Sequence, residues 1–213
     1  MTLAGRLAPL SRLPRDARDT LFLLAVIGWL ILPLVPHLPL WCSALAAAVL
    51  AWRGLLALRS RPLPRRAWLV LLLALTLVGT WTSHRTLLGR DAGVTLVVVL
   101  LALKTLELRA RRDALVVFFL GFFTLLTNFF YAQTLPVATA MLIGLLGLLT
   151  ALVHAHRPVG EPSLRESAAV ALRMALAGTP VMLALFLFFP RLAPLWGMPS
   201  DALTGRSGLS STM

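Results

Sequence analysis

Apolar residues run through this chain in seven long blocks, at about 20–35, 38–52, 67–82, 92–107, 114–131, 135–153 and 174–189, separated by short stretches rich in arginine, proline and polar residues. Blocks of this length and apolarity predict membrane-crossing helices. Five of them are only 15 or 16 residues long, short of the roughly 20 that a bilayer core asks for. Their ends must therefore extend into flanking polar residues or the local bilayer must thin, and the count can fall from seven to six. The expected fold is all-α, a polytopic transmembrane helix bundle over residues 1–189 with an extracytoplasmic tail over 190–213.

The connections sharpen this outline. Pro36, His37, Leu38 and Pro39 leave room only for a tight turn between the first two spans, because proline disfavours continued helix. Span two carries Ala44, Ala47, Ala48 and Ala51, two small-xxx-small pairs that predict a packing face for another helix. The stretch from Arg53 to Arg66 holds Pro62 and Pro64 and reads as a basic connector that cannot be one continuous helix. Span five is dense in phenylalanine, from Phe118 to Phe130, a pattern expected of a lipid-facing or packed surface. Gly178 and Pro180 should kink span seven.

Composition changes the picture in one respect. A hydrophobic share of 59%, a mean hydropathy of +0.87 and only 13% charged residues exclude an ordinary soluble domain. The net charge of +12 then says something about topology rather than nucleic acid, for which no role is expected. Sixteen basic residues fall on one side of the seven spans: those at the N-terminus up to Arg18, those from Arg53 to Arg66, Lys104 with Arg109, Arg111 and Arg112, and Arg157, Arg165 and Arg173. Only Arg85, Arg90, Arg191 and Arg206 fall on the other. By the positive-inside rule the N-terminus is cytoplasmic and the tail is not. Trp52 and Trp68 sit near the cytoplasmic face and Trp41, Trp81 and Trp196 near the other, as interfacial rings should, whereas Trp29 lies inside span one and does not fit. Basic residues before the run from Leu21 to Val35 resemble a secretory leader, but the nearest small-residue site, Ala44 to Ala46, lies inside the next apolar block, so an uncleaved first span is expected.

Candidate chemistry is sparse. Lys104 and Glu107 are three residues apart near the cytoplasmic end of span four, so they share a face and can pair. Lys104 can also snorkel, and Glu107 can meet Arg109 or Arg111. Asn128 and Gln133 are placed to hydrogen-bond between helices. His154 and His156, two apart, point to different faces and have no metal-site spacing with Glu161 and Glu166. His84 and Asp91 share a loop without a serine or cysteine nucleophile arranged beside them. Cys42, the only cysteine, follows bulky Trp41 and reads as a small apolar filler. With no Walker motif and no HExxH, neither catalytic residues, nor a metal site, nor a cofactor is expected.

Three stretches, in order, resemble the N-terminal membrane domain of bacterial transglutaminase-like membrane proteins. They are Gly89–Leu115, with a Lys-x-x-Glu-x-Arg-x-x-Arg-Asp pattern formed by Lys104, Glu107, Arg109, Arg112 and Asp113; Phe119–Leu135; and Phe188–Met213, which contains Pro190, Arg191, Trp196 and Gly197. The resemblance implies a bundle in the bacterial inner membrane followed by an extracytoplasmic domain with a cysteine, histidine and aspartate triad. That domain is absent from these 213 residues, so the chain is expected to be a fragment and catalytically inert, with the bilayer and the missing domain as its partners. Two other roles are open on the residues alone: a small solute or ion transporter using Lys104 and Glu107, and a lipid- or partner-binding scaffold.

Overall fold

A computed structural model describes residues 15–64, 66–85, 89–108, 111–156 and 163–188. Expectations placed on Arg109, Pro190, Arg191, Trp196, Gly197 and the rest of the tail lie outside the described residues. The described elements are helical throughout: α1 (Arg15–Ile31), α2 (Leu40–Leu58), α3 (Arg66–His84), α4 (Arg90–Leu106), α5 (Arg111–Thr127), α6 (Leu135–His156) and α7 (Leu164–Phe188). Short 3-10 segments, Leu32–His37 and Asn128–Phe130, extend α1 and α5. The first of these holds Pro33 and Pro36, which lack the amide hydrogens that an α-helical ladder would need.

Seven helices thus occupy the seven apolar blocks, with two boundary corrections. The basic stretch begins later than expected, because α2 continues through Arg53 and Gly54 to Leu58. Span seven begins ten residues earlier, at Leu164. Its start is an N-cap in a Ser-x-x-Glu sequence: the Ser163 Oγ accepts a hydrogen bond from the Glu166 amide at 3.2 Å, and Glu166 stands at the third helical position.

The chain divides into two compact units, Met1–Arg173 and Met174–Met213. Within the first, α4 packs against α2, α3 and α5, while α1 packs against α2, α6 and α5, closing a circuit in which α3 flanks α4. Ile27 and Leu30 of α1, Val98, Val99, Leu101 and Leu106 of α4, Val117 of α5 and Leu148 of α6 are fully buried at its centre. A Cβ added to Gly144 would lie 2.5 Å from Leu30 Cδ2, and one on Gly147 would lie 2.9 Å from Val26 Cγ2. These two glycines let α6 approach α1 closely, as small residues do in membrane bundles. In the second unit, α7 runs on without a break through Gly178 and Pro180, and its residues from Met174 to Phe188 are exposed apart from the half-buried Ala175.

Six described helices are long and apolar enough to cross a membrane; α4, at 17 residues, falls short of that length. Its ends nevertheless coincide with those of its neighbours. His84 at the end of α3 bonds Thr95 near the start of α4, Tyr131 beyond α5 bonds Asp91, and Lys104 bonds Asp113 at the start of α5. Antiparallel to both, α4 covers the same distance as α3 and α5. Buried in protein rather than lipid, it has no need to match the hydrocarbon thickness by itself.

The small-residue face expected on α2 is corrected. Ala44, Ala47, Ala48 and Ala51 are exposed, and α2 packs through Cys42, Ala46, Val49, Arg53 and Gly54. The four-residue spacing fixes a stripe but not which way the stripe faces.

Candidate functional site

Sequence order places Lys104 in the last turn of α4 and Asp113 in the first turn of α5, positions where a cation and an anion each complement the helix dipole. The turn between the helices brings them together. Lys104 Nζ lies 2.7 Å from Glu107 Oε2 and 3.4 Å from Asp113 Oδ1. One ammonium therefore bridges two carboxylates and clamps the α4–α5 connection. The Lys104–Glu107 pair is where its spacing placed it, whereas Asp113 arrives nine residues on, through a turn whose geometry no helical spacing encodes. Arg112, beside Asp113, is exposed.

This cluster heads a cleft of about 430 Å³. Leu100, Leu103 and Lys104 of α4 and Glu107 at its C-cap form its floor, with Leu69, Val70 and Leu73 of α3 on one wall and Val116 and Leu120 of α5 on the other. The spacing along the floor, i, i+3, i+4, i+7, is one face of a helix, so the cleft runs along the helix axes with its charged end toward the α4–α5 turn.

A second cluster gathers at the opposite end of α4. The Tyr131 hydroxyl donates to Asp91 Oδ1 at 2.7 Å, Arg90 approaches the same oxygen at 3.3 Å, and the Arg90 guanidinium carbon stands 5.0 Å from the centre of the Tyr131 ring. His37 stacks on that ring at 4.4 Å. Burial and the neighbouring Asp91 carboxylate both oppose ionisation of the tyrosine, whose pKa is pushed up to about 12. Asp91 and His84, expected in one loop, lie instead in the first turn of α4 and the last turn of α3, and find separate partners: Tyr131 for the first, the Thr95 hydroxyl at 3.1 Å for the second.

The third cluster has the connectivity of a catalytic triad. His154 Nε2 lies 3.1 Å from Asp19 Oδ2 and His154 Nδ1 lies 3.0 Å from Ser167 Oγ, joining α6 to α1 and α7. Ser167 is fully buried, and a nucleophile must reach a substrate. The arrangement is a polar tie between three helices. His156, on a different face, turns back to the Leu152 carbonyl at 2.9 Å. Among the described residues no group of three histidines, cysteines or acidic residues is disposed to hold a metal ion.

Several polar side chains inside the bundle have packing roles. Asn128 Nδ2 donates to the Leu30 carbonyl at 3.2 Å and to the Thr124 carbonyl at 2.9 Å, a bond between helices as expected, while Gln133 is exposed. Trp29, the misplaced tryptophan, donates Nε1–H to the Ala140 carbonyl of α6 at 2.9 Å. Arg53 is buried and its Nε donates at 3.0 Å to the carbonyl of Thr105, one of the last carbonyls of α4. Such carbonyls have no partner inside their own helix, so a residue read as topological charge is a helix cap. Cys42 is buried, with its Sγ 3.9 Å from the Thr95 carbonyl.

Comparison with known proteins gives a consistent result. Residues 22–213 match the TgpA N-terminal domain family. A protein-glutamine gamma-glutamyltransferase of Pseudomonas aeruginosa is 38% identical over 211 residues, covering 96% of this chain but 30% of that protein. The chain thus spans under a third of the length of this curated relative. No solved structure matches it significantly.

Proposed function

Since the chain belongs to the TgpA N-terminal domain family, we propose that it is a multi-pass membrane anchor of the bacterial inner membrane that holds a transglutaminase-like catalytic domain on the extracytoplasmic side. The observation that carries this reading is the pairing of a match over 96% of the chain with coverage of only 30% of a relative named as a glutamyltransferase. The bundle corresponds to one part of such a protein, and the catalytic groups belong to another. Charge supports the orientation: sixteen basic residues on one side against four on the other put the N-terminus in the cytoplasm, and seven crossings carry the tail outside. The location of Lys104 and Glu107 in and just after the last turn of α4 favours an anchor over an ion route, which asks for ionisable groups in the interior of the bundle.

Alkaline phosphatase, which folds only outside the cytoplasm, tests the arrangement when fused after Met213. Activity is expected from that fusion and none from one joined within the connector at residues 59–64. An inactive C-terminal fusion beside a correctly inserted bundle overturns the orientation and the anchor role with it. The purified chain alone should show no acyl-transfer turnover.

A further inference from the structure

The α3–α4–α5 cleft has the polarity of a lipid molecule. Its apolar end is built by Leu73, Leu100 and Leu120, and its charged end by Lys104 and Glu107, with Asp113 bonded to Lys104. From Leu100 to Glu107 the floor advances seven residues, about 10 Å along the axis of α4. The charged end lies at the helix termini next to the basic connectors, where a bilayer places headgroups, and the apolar end lies deeper, where it places acyl chains.

Charge chooses among headgroups. The cluster supplies the cation of Lys104 against the carboxylates of Glu107 and Asp113, with the exposed cation of Arg112 next in sequence. A purely basic pocket selects anionic lipids. Two carboxylates among these charges oppose a headgroup that carries only negative charge and suit one that carries a phosphate and an ammonium together. We propose that this cleft is a binding site for a phosphatidylethanolamine molecule of the leaflet facing the basic connectors, with one acyl chain along α4 between α3 and α5, the phosphate toward Lys104 and Arg112, and the ammonium toward Glu107. The site requires that the chain lie in a membrane, but it does not depend on the anchor reading.

The full chain, reconstituted in bilayer discs, is exposed to phosphatidylethanolamine carrying a diazirine near the end of one acyl chain, photolysed, and mapped by peptide mass spectrometry. A parallel sample receives phosphatidylglycerol with the same tail. Labelling is expected to concentrate at Leu73, Leu100 and Leu120, about three- to five-fold above that at the exposed Leu142 and Ile143 of α6, and to favour the ethanolamine probe by a similar factor, the size of one exposed charge contact. Val116→Trp, which fills the cleft from a part-exposed wall position, should lower labelling of α4 several-fold. Leu142→Trp, on the far exposed surface, should leave it unchanged. Glu107→Gln should bring the headgroup preference close to one while the tail label remains. Labelling spread evenly over exposed apolar helix faces means ordinary boundary lipid and overturns the proposal. Equal labelling by both probes in the unaltered protein refutes the headgroup assignment, and both measurements use a chain that no substitution has disturbed.

Discussion

At the scale of single residues, Tyr131 offers an unusually clean probe, because it is the only tyrosine in the chain. Its hydroxyl is the donor to Asp91, and burial together with that carboxylate holds its pKa near about 12 in place of 10.0. A phenol whose pKa is raised by folding contributes stability that is present in full below pH 10 and is lost as pH climbs through about 12. Titrating tyrosinate absorbance in the folded protein should therefore give a midpoint well above that of the denatured chain, and coincident midpoints would refute the contact. Arg53 carries a second prediction. Replacing it with methionine keeps much of the stem and removes the donor to the Thr105 carbonyl, so the folded bundle should lose about 1–3 kcal/mol, the cost of a buried group left unpaired, measured by titrated unfolding in mixed micelles. Neither role was legible in the chain. An arginine at the end of an apolar run looks the same whether it faces water or caps a neighbouring helix, and Tyr131 meets Asp91 across forty residues of sequence. Lys104 with Glu107 could be read because both partners lie on one helical turn; Asp113 could not, because a change of direction separates it from them.

Between residue and molecule stands the helix, and there the apolar blocks located every element while its ends and faces followed other rules. Block length marks where lipid-compatible sequence begins, but a helix begins where its first amides find an acceptor. For α7 that acceptor is Ser163, eleven residues before the apolar block expected at 174. Ser163→Ala should cost roughly 0.5–2 kcal/mol of local stability, seen as faster amide hydrogen exchange confined to residues 164–167, and unchanged exchange there would show that the cap contributes nothing. The faces of α2 and α6 teach a related point. Spacing of small residues suggested close packing for α2 through Ala44 and Ala48, yet the close approach is made by Gly144 and Gly147 of α6. Only the three-dimensional neighbour decides which small stripe is used. Gly144→Val places a branched carbon against Leu30, and overpacking of this kind should destabilise the α1–α6 contact by about 1–3 kcal/mol, whereas Ala48→Val on the exposed face of α2 should be nearly neutral.

For the molecule as a whole, the decisive element is α4, a 17-residue helix that, unlike α1 and α5, no 3-10 segment lengthens, and also the centre of the packing. If it crosses, the chain makes seven passes and the two ends of the protein lie on opposite sides of the membrane; if it does not, six passes return the tail to the side of the N-terminus. Geometry favours crossing, because the ties of α4 to His84 and Tyr131 at one end and to Asp113 at the other make it run the same course as α3 and α5. Energetics allow it, since Val98, Val99, Leu101 and Ala102 are wholly buried in protein and the polar ends meet partners before they meet hydrocarbon. The sequence makes the experiment simple, for Cys42 is the sole cysteine and is buried. In a Cys42→Ser background, single cysteines at Arg85 and Leu108, which flank α4, should react with a membrane-impermeant maleimide from opposite faces of oriented vesicles. Reaction of both from one face would leave α4 as a re-entrant segment, reverse the parity of every later helix, and remove the route by which this bundle could present its C-terminal end outside the cytoplasm.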